Sequence, residues 1–456
     1  MSSTSPSTDA RPTALAPPVY KPRHPERAPT YRLLERHFDA YTRVHEDRFE
    51  ERHGALRAVV GRSVNQYLEC GRLMGGFARI QCPTCHDEHL LAFSCRTRNL
   101  CASCQAKRSV VFAERLATQI VARVAHRHVV FTIPIALRGL FERERSLLGL
   151  FARTAYETLR RVLKAACDGK AGKDAVPGVV ASIQTFGSYA NFHPHLHVIV
   201  TEGLFSREGT FHGVAWPPQS VLEEAFRRLL LAALVKKERL TEETCERLIA
   251  WRHSGFSVYL ASRVDAFDLD GLERLARYVT RPALAAGAVS IRADGQVEVK
   301  TPPDPRTGSG CVVLDVLAFV HAVVTQIPDP KRHLVHYSGA YSARFRGRVR
   351  AAKADEPGAP GERAAPVEPG SSAAAGVPEP VTPAEPGSPE AKRRSAWARV
   401  LAKVFEVDPL LCARCGTKMK VIAWITDPVV IERIVAHRRK AGLESPFDAR
   451  GPPAAG

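Results

Sequence analysis

Cys82-Pro83-Thr84-Cys85 is followed, after 15 residues, by Cys101-Ala102-Ser103-Cys104. Two Cys-x-x-Cys pairs this close constrain the chain strongly, because each short loop presents two thiolates to one tetrahedral ion. The spacing predicts a small ribbon in which Cys82, Cys85, Cys101 and Cys104 hold one structural Zn2+. Such a hairpin is too poor in apolar residues to fold alone, so metal binding supplies the folding energy. A redox Cys-x-x-Cys is the competing reading, but no thioredoxin-like pattern lies nearby. Cys70 and Cys95 are spare thiols here; either of them, or His86, could substitute as a ligand. Eleven cysteines in 456 residues do not make a disulfide scaffold, which favours metal in a reducing compartment.

A second stretch organises the middle of the chain: Asn191-Phe192-His193-Pro194-His195-Leu196-His197-Val198-Ile199-Val200. It reads as a strand beginning after Pro194. Alternate side chains of a strand share a face, so His195 and His197 point one way and Leu196 the other, into a core. Two imidazoles close together on one face can hold a divalent ion. A lone histidine there would read as an ordinary surface residue. Three in five residues, leading into an apolar run, favour the metal.

The rest of the pattern is α+β. Residues 1–28 are rich in Ser, Pro and Ala and read as disordered. Residues 29–120 read as an N-terminal helical and zinc-binding domain, with Leu33, Leu34, Phe38, Tyr41 and Val44 at helical spacing. Residues 121–350 read as a catalytic domain. It opens with a buried strand ending Phe131-Thr132-Ile133-Pro134, then a long amphipathic helix over about 141–167. A strand over about 179–185 carries Gln184 and precedes the histidine strand. Helices near 221–235, 242–251, 271–280 and 316–326 follow, with a short strand at 255–259. Asp294-Gly295 turns a hairpin between 289–291 and 297–299. Residues 351–392 are dominated by Pro, Ala, Gly and Glu and read as a flexible linker. Residues 393–440 read as a small module with Trp397, Leu401, Val404, Phe405 and a last helix near 429–439. Its Cys412-x-x-Cys415 is half a knuckle with no second pair downstream, which leaves metal binding there open. Residues 441–456 read as a disordered tail.

Charge narrows the partners. Lys and Arg number 65 against 47 Asp and Glu, a net +18 spread along the chain. That implies an acidic partner, most commonly nucleic acid. The absence of an 18-residue apolar run predicts no membrane span and a cytoplasmic, nucleoid-associated protein.

These stretches together resemble the HUH endonucleases: rolling-circle replication initiators, conjugative relaxases and rolling-circle transposases. The likeness is closest to rolling-circle insertion-sequence transposases with an N-terminal zinc-binding domain. It rests on the cysteine ribbon, Gln184-Thr185-Phe186-Gly187 with Asn191–His197, Trp251–Val258, Arg277-Tyr278-Val279-Thr280-Arg281-Pro282, and Val407-Asp408-Pro409-Leu410 before Cys412. The resemblance implies an HUH-type antiparallel sheet flanked by helices. It also implies a transposase that nicks and transfers single-stranded DNA through a 5′-phosphotyrosyl link.

Within that family, Mg2+ or Mn2+ on His195 and His197 would assist the attack, with Gln184 as first choice for a third ligand and His193 as second. Tyr278 matches the family's Tyr-x-x-Lys/Arg segment and is the expected nucleophile. The position four residues earlier is Arg274, which departs from the paired tyrosines of some relatives. Tyr337 and Tyr341, four apart, are the alternative nucleophiles. Arg96, Arg98, Lys107, Arg108, Arg277 and Arg281 are the expected DNA contacts. The same chemistry would serve a plasmid replication initiator. A zinc-dependent DNA-binding protein left by a mobile element, with an inactive nuclease centre, is the third reading. The intact set of His195, His197 and Tyr278 argues against it.

Overall fold

A computed structural model describes residues 25–167, 169, 171–251, 255–285, 287–305, 307–354, 410–412 and 414–442. Most of the N-terminal stretch 1–28, the 351–392 linker beyond residue 354, Trp397, Leu401, Val404, Phe405, Val407-Asp408-Pro409, residues 252–254 and the tail beyond residue 442 lie outside them. The described chain forms two compact units, one holding 71–93 with 410–442, the other 25–70 with 94–354. The stretch expected as one 29–120 domain is therefore interrupted, because 71–93 pack with the C-terminal segment. Among the described residues no helix is long and apolar enough to cross a membrane.

The larger unit is built on an antiparallel five-stranded sheet. Its strands are β1 (His126–Thr132), β2 (Gly178–Phe186), β3 (Phe192–Thr201), β4 (Ser257–Val264) and β5 (Val335–Gly339). Their order across the sheet is β5-β2-β3-β1-β4, so the histidine strand is central. Alternation gives the sheet two unlike faces. On one, Leu196, Val198 and Val200 of β3, Val129 and Phe131 of β1, and Val179, Ala181 and Ile183 of β2 are buried. They join one core with Phe151, Leu159 and Leu163 of the Leu147–Ala165 helix and Phe226 and Leu230 of the Gln219–Lys236 helix. Each buried Leu or Phe contributes about 1.5–3 kcal/mol, and this face anchors β3.

The opposite face is apolar only toward one end. There Val180 and Ile199 pack with Leu272, Leu275, Ala276 and Val279 of the Leu269–Val279 helix. Asp268 caps that helix by accepting from the Gly271 N–H, and a Cβ at Gly271 would collide with the Asp268 carboxylate. Toward the other end the same face carries polar residues. The β2–β3 register sets Ser182 opposite His197 and Gln184 opposite His195.

A further layer joins Tyr31, Leu34, Phe38 and Tyr41 of the Pro29–His45 helix to Phe319, Val320, Val323 and Val324 of the Val316–Thr325 helix. The helix expected over 141–167 is two, Ile135–Arg143 and Leu147–Ala165. Glu144 leaves helical backbone angles between them, and Arg145 lies over the Phe192 ring at 4.7 Å. Strand β5 escaped the sequence pattern because all five of its residues are half-buried, so it shows no alternation.

In the smaller unit, Phe77–Gln81 is the central strand of three, flanked by Glu88–Ala92 and Lys420–Ile425. The Pro428–Lys440 helix places Ile431 and Val435 against Leu73, Phe77 and Leu90.

Candidate active site and cysteine clusters

The polar end of the sheet face gathers His128, His195, His197 and Gln184, with Tyr278 from the last turn of the Leu269–Val279 helix. The Tyr278 ring stands edge-on to His197, centroids 5.3 Å apart, and to His128 at 6.0 Å. Tyr278 as a whole is 45% exposed. The carbonyl of Val279, the next residue, accepts from Ser182 Oγ at 2.7 Å and Gln184 Nε2 at 2.8 Å. The next carbonyl, Thr280, accepts from Gln105 Nε2 at 2.8 Å and Ser109 Oγ at 2.5 Å. Two side chains of β2 and two of the Ala102–Arg115 helix thus fix the end of the tyrosine helix.

One imidazole, His195, is held in a defined tautomer. His195 Nδ1 donates to the His193 carbonyl at 2.8 Å, leaving Nε2 with its lone pair. His197 Nδ1 meets His128 Nε2 at 2.9 Å, and His197 Nε2 is buried without a partner. Gln184 Oε1 is likewise buried without a partner. Unpaired buried polar atoms are rare and costly. His197 Nε2 and Gln184 Oε1, beside His195, are therefore buried polar atoms that no protein group satisfies. His193, the second choice for a third ligand, has its Nε2 within 3.1 Å of Arg138 Nη2 instead.

Burial keeps these rings neutral, the form a ligand needs. It lowers His128 to about 4. It also lowers His197 to about 2, with His195, His128 and Arg281 adding to the effect. His195 is lowered by burial first, with Arg281 and Arg138 adding and its bond to His193 opposing. His126, further along β1, is lowered to about 4 by burial.

A histidine held below its ordinary value binds fewer protons folded than unfolded, so stability falls as pH drops from about 6.5 toward 4. For His126, His128 and His197 the loss at pH 5.5 is about 1 kcal/mol each. The melting temperature of the protein with its cysteine-bound zinc but without Mg2+ or Mn2+ is thus expected to be level above pH 7 and to fall steadily below 6.5. A midpoint unchanged down to pH 5 would show that the folded protein accepts these protons in place.

The alternative tyrosines sit elsewhere. Tyr337 is on β5 and Tyr341 on the turn after it, so their spacing of four does not place them on one helix face. Tyr341 is 2% exposed, bonded to His126 Nε2 at 2.5 Å, with burial pushing its phenol up. Tyr337 faces Val180, four residues along β2 from Gln184, which is roughly 13 Å. Among the expected DNA contacts, Arg281 lies over the Tyr278 ring at 5.0 Å, and Arg277 pairs with Glu273 on the exposed helix face. Arg98 is a strut, its guanidinium donating to the carbonyls of Asp329 and Arg332. Arg108 Nη2 donates to the exposed Arg96 carbonyl at 2.9 Å, and Lys107 lies half-buried one residue before it.

The cysteines correct the single ribbon expected from Cys82, Cys85, Cys101 and Cys104. Two tetrads form instead: Cys70, Cys95, Cys101 and Cys104 in the larger unit, and Cys82, Cys85, Cys412 and Cys415 in the smaller. After Cys85 the chain returns as Glu88–Ala92 along Phe77–Gln81, which carries the first pair into the small sheet. Cys101 instead caps the Ala102–Arg115 helix, against Cys70 just beyond the Ala58–Leu68 helix. Sulfur separations in the first tetrad are 3.5–3.8 Å. A Zn–S length of about 2.3 Å gives tetrahedral edges of about 3.8 Å, so this tetrad fits zinc.

Two family models match the chain. One, described as "Transposase zinc-binding domain", covers residues 41–133. The other, described as "Putative transposase", covers residues 178–348. The transposase for insertion sequence element IS801 of Pseudomonas savastanoi pv. phaseolicola is 25% identical over 397 residues, 83% of this chain and 87% of the relative. "Putative transposase y4qJ" of Sinorhizobium fredii is 28% identical over 285 residues, 58% of this chain and 70% of the relative.

The chain is similar to insertion-sequence transposases in both matched regions. No solved structure matches it significantly. In this chain, the zinc-binding match contains the whole Cys70 tetrad but only half of the other, since Cys412 and Cys415 lie outside both matched regions. The second match contains Gln184, His195, His197 and Tyr278. Sequence reasoning missed His128, Ser182, Gln105 and Ser109. His128 had a signal, since His126-Arg127-His128 repeats the His-x-His alternation on the neighbouring strand β1.

Proposed function

We propose that this chain is a transposase that cuts and rejoins single-stranded DNA, with Tyr278 as nucleophile. The observation that carries the reading is the meeting of Tyr278 with His197, in a cluster where His197 Nε2 and Gln184 Oε1 are buried and unpaired. In the proposed step the phenol oxygen of Tyr278 attacks the scissile phosphorus. The P–O3′ bond breaks, the 3′ oxygen leaves as a hydroxyl, and the 5′ phosphate stays on the tyrosine. The link conserves the bond's free energy, so a second 3′-OH can reverse the step and complete strand transfer without ATP.

His195, His197 and Gln184 would hold the divalent ion, Mg2+ or Mn2+, which when bound offsets charge on the phosphate. His128 orients His197 by accepting from its Nδ1–H. Arg281, over the Tyr278 ring, faces both the phenol and an incoming phosphate. Ser182 and Gln184 hold the helix end so that the phenol keeps its place beside the imidazoles. The fully neutral imidazoles and the half-exposed Tyr278 suit an unpaired strand entering across the sheet face. The Cys70 tetrad takes the structural zinc of the family's zinc-binding domain.

Incubation of end-labelled single-stranded oligonucleotides from the element's termini tests the reading. A covalent protein–DNA band is expected with Mg2+ or Mn2+. It should vanish with EDTA, return on adding Mn2+, and be absent with the same sequence as duplex. No band with any divalent ion, on any single strand tried, would leave a DNA-binding remnant as the better account.

A further inference from the structure

We propose that Cys82, Cys85, Cys412 and Cys415 hold a second structural zinc, which clasps the C-terminal segment onto the N-terminal ribbon. The two loops are copies of one another. Cys82 N–H donates to the Asp87 carbonyl at 2.8 Å and Cys412 N–H to the Thr417 carbonyl at 2.9 Å, five residues on in both. The His86 N–H returns to the Cys82 carbonyl at 3.1 Å and the Gly416 N–H to the Cys412 carbonyl at 2.9 Å, four residues back in both. The residue after each second cysteine is left-handed, His86 at φ 59° and Gly416 at φ 70°. This fold turns backbone N–H groups and both sulfurs of a loop toward one point.

The sheet brings the points together. Gln81, just before the first loop, pairs with Lys420, just after the second, so both loops project from the same end. The four sulfurs approach to 3.4 Å (Cys82–Cys415), 3.5 Å (Cys85–Cys412) and 3.6 Å (Cys85–Cys415). Four free thiols packed this tightly want a tetrahedral thiophilic ion, and zinc is the redox-inert choice. The need is also energetic. The unit buries two small apolar groups, Ala78, Ile80, Leu410 and Met419 beside the sulfurs, and Leu73, Phe77, Leu90, Ile431 and Val435. So small a core rarely folds without a staple.

The clasp joins loops more than 320 residues apart in sequence. The ribbon therefore forms only once the chain has been made as far as the Lys420–Ile425 strand, after every residue of the candidate catalytic site. A transposase lacking its C-terminal segment would keep the catalytic unit and lose the ribbon.

Metal analysis of the full chain, purified without added zinc and stripped of loosely bound ions, tests this. Two zinc per chain are expected, and one in Cys412→Ser/Cys415→Ser. Cys82→Ser/Cys85→Ser should also hold one, and the variant with all four substitutions still one, because both pairs serve the same ion. Retention of that one zinc, with a cooperative melt, separates loss of the clasp from general misfolding. In the Co2+-substituted protein the thiolate-to-cobalt absorption should fall by half in each pair variant. One zinc in the unsubstituted chain, iron in place of the second zinc, or unequal metal loss from the two pair variants would overturn the proposal.

Discussion

Tyr278→Phe is expected to abolish the covalent protein–DNA adduct and slow strand cleavage by on the order of 10,000-fold or more, since it deletes the attacking atom itself. The substitution removes one oxygen and leaves the ring that packs edge-on to His197 and His128 and beneath Arg281. Because Tyr278 is half exposed, stability should change by less than about 0.5 kcal/mol. Binding of the uncut strand should survive, because the basic residues are untouched. The contrast is Tyr341→Phe, which breaks the buried bond to His126 and should cost about 1–3 kcal/mol of stability while adduct formation per folded molecule persists. Mass spectrometry of the trapped adduct names the residue directly. A peptide carrying Tyr337 or Tyr341, or an adduct persisting in Tyr278→Phe, would overturn the assignment.

How much of this was readable beforehand varies with how local the cause is. The alternation of β3 put His195 and His197 on one face because a strand's period is 2 and Leu196, Val198 and Val200 needed a core. Gln184 came from the resemblance, which asks for a third ligand, and from its place on the neighbouring strand; the register that sets it opposite His195 is visible only in the fold. Tyr278 was placed by the resemblance, not by physics; only the packing of its helix on Val180 and Ile199 shows why it meets the histidines. The cysteines failed for the opposite reason. Nearness in sequence favoured Cys82–Cys85 with Cys101–Cys104, but metal ligands answer to nearness in space, and a strand pairing with Lys420–Ile425 decided that. Arg98 of the same stretch donates to two backbone carbonyls of a distant loop, a tie between segments that no local spacing announces.

Loss of the zinc at the Cys70 tetrad should disable Tyr278 although no ligand touches it. Cys101 begins the Ala102–Arg115 helix, and the first turns of that helix carry Gln105 and Ser109, which both bond the Thr280 carbonyl beyond the tyrosine. Asn99, inside the same cysteine loop, donates to the Gln326 carbonyl at 3.3 Å, and the Gln326 side chain accepts from Thr185 of β2. The tetrad thus fixes the helix that fixes the tyrosine, and it sits in one core with Tyr31, Phe38, Tyr67 and Val323. Structural zinc contributes about 10–16 kcal/mol in small domains, as much as the whole stability of many domains. Cys104→Ser, which removes the sulfur touching both Cys70 and Cys95, should therefore unfold the helical layer or lower its melting midpoint by tens of degrees, with the adduct lost. The milder pair Gln105→Ala/Ser109→Ala separates position from folding. It should keep the zinc and most of the stability yet reduce adduct formation about 10- to 100-fold, because a displacement of about 1 Å at a nucleophile costs that much. Added Mn2+ should not restore the rate, since the defect lies in the phenol's place and not in ion binding. Unchanged cleavage by that pair would confine the zinc to holding the helical layer together and leave the tyrosine helix fixed by Ser182 and Gln184 alone.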